Sequence, residues 1–99
     1  MFFNKINKGV KEYRATPGAV LIDVREPGEF AAGHIPGAIN MPLSGSHNLS
    51  FPKDTPLYIY CLRGFRSLKA SVILKGQGYT NVKSIGGING YKGELERGE

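Results

Sequence analysis

Leu57-Tyr58-Ile59-Tyr60 runs directly into Cys61-Leu62-Arg63-Gly64-Phe65-Arg66-Ser67. The first four residues are an apolar run, as expected of a strand covered on both faces. A helix is predicted from Ser67 to Lys75, where Leu68, Ala70, Val72, Ile73 and Leu74 give a broad apolar face and Gly76 and Gly78 end it. The only cysteine therefore stands at the carboxyl end of a strand, before a loop with Gly64, two arginines and a helix start. N–H groups of such a loop can converge on the thiol, and a helix N-terminus adds partial positive charge. Both favour thiolate, the nucleophilic form of cysteine. A small buried hydrophobe is the competing reading, and these residues alone leave both open.

Outward from this stretch, Ala19-Val20-Leu21-Ile22 with Val24 is a second apolar run, and short strands are expected at Ala38-Ile39-Asn40 and Val82-Lys83-Ser84-Ile85. Glu26 to Ala32 reads as a brief helix with Pro27 in its first turn. Asn7 is expected to cap a short helix from Lys8 to Arg14, weakened by Gly9 and stopped by Thr16-Pro17-Gly18. Ser44 to Ser50 reads as a surface loop, and the polar tail after Gly93 is expected to fray. Strands alternating with helices predict an α/β domain with a mainly parallel sheet. Ligands of such folds sit at the carboxyl ends of strands. Cys61 falls at that kind of place, which puts the reactive reading ahead.

Ninety-nine residues suit one domain over 1–99, with no sign of a boundary or repeat. A single Cys excludes an internal disulfide framework and any zinc site with two or more Cys ligands. No His, Asp or Glu cluster has metal-ligand spacing, so neither metal nor cofactor is expected. No apolar stretch approaches the ~20 residues of a membrane span. The first eight residues lack the apolar core of a signal peptide, which makes a cytoplasmic protein without membrane contact the default. The net charge of +5 is scattered, whereas nucleic-acid binders concentrate charge on one face. A solvated basic surface, and no nucleic-acid partner, is the expectation. It still draws small anions toward the loop, where Arg63 and Arg66 flank the cysteine.

Three blocks in order resemble a single-domain rhodanese, a member of the sulfurtransferase family. The first is Leu21-Ile22-Asp23-Val24-Arg25-Glu26-Pro27-Gly28-Glu29-Phe30, continuing to Gly33-His34-Ile35-Pro36-Gly37-Ala38-Ile39-Asn40-Met41-Pro42-Leu43. The second is Tyr58-Ile59-Tyr60-Cys61 with the pattern Cys-x-x-Gly-x-Arg-Ser. The third runs from Gly78-Tyr79-Thr80-Asn81-Val82 through Gly86-Gly87-Ile88-Asn89-Gly90-Tyr91, so the blocks together span about residues 19–92. The resemblance implies a mainly parallel sheet flanked by helices on both faces. It also implies that Cys61 accepts a sulfane sulfur from a small anionic donor such as thiosulfate and carries it as a persulfide. A thiol, cyanide or a sulfur-relay protein would take it on. The N–H cradle for the outer sulfur, carried over, spans Leu62, Arg63, Gly64, Phe65, Arg66 and Ser67. Tyr91 stands where the family commonly has Trp, and Ser44 to Phe51 is short and polar where many members have a longer helical segment.

Each residue near the cysteine has a role to test. Arg66 either balances thiolate and persulfide charge or fixes the loop through backbone carbonyls. Arg63 points outward to recruit the donor or is a plain surface arginine. Gly64 permits a backbone conformation that a side chain obstructs. Phe65 forms a rim or packs, and Ser67 caps the helix or donates to sulfur, with capping the expected role. Asp23 and Arg25 read as a structural salt bridge or loop anchor sooner than as a proton donor. His34 invites a general-base reading, but the resemblance implies a turn-fixing histidine. His47 has no tie to the site. Phosphatases built on a cysteine, an N–H cradle and an arginine place five residues between Cys and Arg; here Leu62, Arg63, Gly64 and Phe65 make four. A regulatory module without catalysis is the remaining alternative, against which the chain keeps Cys61, Gly64 and Arg66.

Overall fold

β1 (Val20–Asp23), β2 (Ile39–Asn40), β3 (Leu57–Cys61) and β4 (Val82–Gly87) form an all-parallel sheet in the order β2-β1-β3-β4. The structure is a computed structural model that describes residues 2–98, with side chains from residue 5. Helix α1 (Phe2–Ala15) precedes the sheet, α2 (Pro27–Ala32) joins β1 to β2, and α3 (Phe65–Gly76) joins β3 to β4. A short 3-10 turn, Ile88–Gly90, follows β4.

Strand alternation sends side chains into two cores. Leu21, Tyr58, Tyr60 and Ile85 meet Ile6 and Val10 of α1 on one face. Ile22, Leu57, Ile59 and Cys61 meet Ala70 and Leu74 of α3, with Met41 and Tyr79, on the other. Each fully buried Leu or Ile contributes about 1.5–3 kcal/mol, so the apolar run of β1 up to Ile22 and that of β3 suit their central places in the sheet. The chain leaves β1 toward β2 on one side, and β3 toward β4 on the other. The carboxyl ends of β1 and β3 are thus the point where the winding reverses, the usual crevice of open α/β sheets.

Several local expectations are corrected. α1 begins well before Asn7, which is no cap: its Nδ2 donates to the Gly90 carbonyl at 2.9 Å and its Oδ1 accepts from the Lys92 N–H at 3.0 Å. A Cβ at Gly9 would run into Ile85, so the glycine that weakens the helix also lets it lie close on β4. α3 starts at Phe65 rather than Ser67, and its inward face is Ser67, Ala70, Ser71 and Leu74. Leu68 and Val72 instead face outward, 53% and 69% exposed. Small inward residues bring α3 close to the sheet, and the buried hydroxyls are satisfied by the carbonyls of Gly64 and Leu68. The tail does not fray: Glu96 and His34 exchange two 2.8 Å backbone hydrogen bonds, and the Gly98 N–H donates to Ala31. Residues 44–50 form the expected surface loop, anchored where Tyr79 donates its hydroxyl hydrogen to the Leu49 carbonyl at 2.8 Å. Tyr91 packs on the α1-side core and accepts a 3.1 Å hydrogen bond from Arg14. Among the described residues, no helix is long and apolar enough to cross a membrane.

Candidate active site

Cys61 is the last residue of β3, where the pairing with β4 slips so that Cys61 lies opposite Gly87. The slip ends regular pairing and lets the chain turn into the loop. Gly64, at φ 106°, makes that turn and caps α3 in a left-handed conformation that a side chain would strain. Its N–H donates to Cys61 Sγ at 3.0 Å, and the Ser67 N–H does so at 3.4 Å. Both donors converge on sulfur from the loop and the first turn of α3.

The loop is held from below by the end of β4. A Cβ at Gly87 would collide with the Leu62 carbonyl oxygen and Arg63 Cα, and the Asn89 N–H donates to that same carbonyl at 3.2 Å. Glycine at 87 is therefore a requirement of close backbone approach. Cys61 itself is only 1% exposed. A cavity of about 120 Å³, lined by Cys61, Leu62, Arg63, Phe65 and Arg66, opens beside it.

Among the six cradle candidates, Gly64 and Ser67 aim N–H groups at sulfur, while Leu62, Arg63, Phe65 and Arg66 line the cavity. Phe65 is 78% exposed and is a rim, not a core residue. Ser67 is not the helix cap: it sits inside the first turn, with Oγ bonded to the Gly64 carbonyl and 2.7 Å from Ser84 Oγ. Arg66 takes neither expected role as its main contact. Its guanidinium pairs with both carboxylate oxygens of Glu29, at 2.7 and 3.0 Å. A fork-shaped cation beside a planar carboxylate gains two charge-assisted bonds at once. Arg66 holds the Glu29 carboxyl down at about 2, and the Glu26 N–H that Glu29 also accepts works in the same direction. Glu29 escaped the sequence reading because its partner lies 37 residues away. Its position three after Glu26 signals only a helix start.

At the end of β1, Asp23 is fully buried and accepts from the Arg25 backbone N–H, Nε and Nη2 at 2.8–3.1 Å. Arg25 also donates to the Gly33 carbonyl at 2.7 Å. The pair anchors the turn after β1, the structural reading of these residues. His34 is buried, stacked on Phe30 at 3.8 Å, with Nδ1 donating to the Phe30 carbonyl. His47 Nε2 lies 2.8 Å from the Leu43 carbonyl, inside its own loop.

Residues 7–94 match the rhodanese-like domain. YqhL of Bacillus subtilis (strain 168) is 41% identical over 81 residues, which are 79% of this chain and 64% of that protein, so the chain spans just under two thirds of its length. Thiosulfate sulfurtransferase GlpE of Ectopseudomonas mendocina (strain ymp) is 33% identical over 87 residues, covering 86% of this chain and 80% of that one. A rhodanese-like domain protein from Staphylococcus aureus superposes with a TM-score of 0.77 at 33% identity, over 91% of this chain and 92% of that chain. With sequence and fold alike matched across nearly the whole length, the chain belongs to the rhodanese-like domain family.

Proposed function

We propose that the chain is a sulfurtransferase in which Cys61 carries sulfur as a persulfide. The observation that carries this reading is the pair of N–H donors, Gly64 and Ser67, on Sγ beside a cavity of about 120 Å³. The Cys61 thiolate attacks the outer sulfur of thiosulfate, the S–S bond of the donor breaks, and sulfite leaves with its electron pair. Cyanide or a thiolate then attacks the outer sulfur of the persulfide. The Sγ–S bond breaks, its electron pair stays on Sγ, and the free thiolate returns. Two displacements replace one transfer, the general logic of covalent catalysis.

Arg63, exposed at the cavity wall, attracts the dianionic donor. Thiosulfate as donor is supported by the name of the Ectopseudomonas relative. A phosphatase reading is disfavoured by the four-residue spacing and by Arg66, whose guanidinium is engaged by Glu29 and not free to clamp an oxyanion. Intact-protein mass spectrometry after thiosulfate is expected to show one added sulfur atom, removed by cyanide and absent from Cys61→Ala. An unchanged mass, or hydrolysis of an aryl phosphate lost in Cys61→Ser, would overturn the proposal.

A further inference from the structure

Arg63 and Phe65 wall the sulfur cavity on one side and a larger groove, about 500 Å³, on the other. Lys5 of α1, Gly64, Leu68 of α3, Ser84 and the residues of the 86–90 segment other than Ile88 complete its lining. The lining holds two cations and no acid. From Leu68 the apolar surface continues along the outer face of α3 to Val72, about 10 Å from Phe65 at the helical rise. Exposed Lys69 and Lys75 lie on the same helix, which has no acidic residue anywhere along it. A helix that buries serines and shows Phe65, Leu68 and Val72 to solvent presents an interaction surface.

The charge of that surface selects its occupant. A second copy, itself at +5, would bring like charge against like. A small molecule would fill the groove and leave Leu68-to-Val72 uncovered. We propose that the groove and the outer face of α3 dock an acidic segment of a partner protein, anchored by an apolar side chain between Phe65 and Leu68, that exchanges sulfur with Cys61. The docking stands by itself; the exchange rests on the persulfide reading above. In the exchange the partner's cysteine thiolate attacks the outer sulfur, the Sγ–S bond breaks, and the electron pair returns to Cys61.

Docking is read without sulfur by fluorescence anisotropy of a dye-labelled peptide of glutamates around a central leucine. Binding is expected to weaken with salt, and to weaken about tenfold in Lys5→Glu and in Leu68→Asp, both exposed positions. Equal binding of a lysine-for-glutamate peptide, or indifference to both variants, would overturn the proposal. Exchange is read by mass on thiosulfate-loaded protein with a cysteine-bearing form of the same peptide. Leu68→Asp should slow discharge to this peptide about tenfold and leave discharge to cyanide unchanged. Equal slowing with a small neutral thiol would instead make the groove a small-molecule site and end the docking claim. Absence of sulfur loading by thiosulfate would count against the persulfide alone, since the anisotropy result does not depend on it.

Discussion

β1 and β3 lie side by side, end at the same crevice, and each delivers one ionisable side chain there: Asp23 and Cys61. Both are buried, at 0% and 1% exposure, so burial does not separate them. What separates them is the company. Asp23 meets a full countercharge in Arg25. Cys61 carries the N–H groups of Gly64 and Ser67 on its sulfur, with open volume beside it. An anion whose valence is already spent is part of the frame. Cys61, with N–H donors on its sulfur and space beside it for a reactant, is the residue placed for the proposed chemistry.

The sharpest way to break this contrast is to remove the sulfur. Cys61→Ser is expected to cut sulfur loading by at least ~10³-fold with little change in thermal midpoint. Loading that survives would move the chemistry elsewhere. Asp23→Asn should do the reverse. It leaves the buried Arg25 without its partner and costs about 3 kcal/mol in chemical denaturation, while loading per folded molecule stays level. A changed pH profile of loading in that variant would draw Asp23 into the mechanism. Gly87→Ala sharpens the picture of the loop: its Cβ must displace the backbone of Leu62 and Arg63, costing about 2 kcal/mol and slowing loading as well.

The smallest effect belongs to Glu29→Gln, about 1 kcal/mol for a partly exposed pair with bidentate geometry. Its signature is in pH. The Glu29 carboxyl is depressed in the folded state from an ordinary 4.5 to about 2. The stability it contributes is therefore complete above 4.5 and lost as pH falls toward 2. Denaturation curves at neutral and acid pH should show the wild-type chain losing this increment across that window and Glu29→Gln lacking it. Parallel acid losses in the two chains would mean that the Arg66–Glu29 pair holds nothing in solution.

The sheet was legible because β1 and β3 are apolar on both faces, a pattern that few other environments produce. The Cys61 loop was legible because strand, glycine and helix start are adjacent in the chain. Misreadings arose where the deciding partner is remote. Asn7 looks like a cap until Gly90 and Lys92 arrive to take its amide. Arg66 looks free for sulfur until α2 brings Glu29. Leu68 and Val72 look like core because apolar residues on a helix usually are. The actual inward choice of serine and alanine depends on how close α3 lies to the sheet. The tail looks loose because its anchors are backbone groups of Ala31 and His34, which no side-chain pattern announces.

That clasp makes the carboxyl-terminal segment mechanical. Tension applied at Gly98 passes to Ala31 through one hydrogen bond, and tension at Glu96 passes to His34. His34 is stacked on Phe30, the neighbour of Glu29, and Glu29 grips Arg66. A bulky label or a taut tether at this end bears on Ala31 and His34, and through them on the α2 turn that carries Glu29.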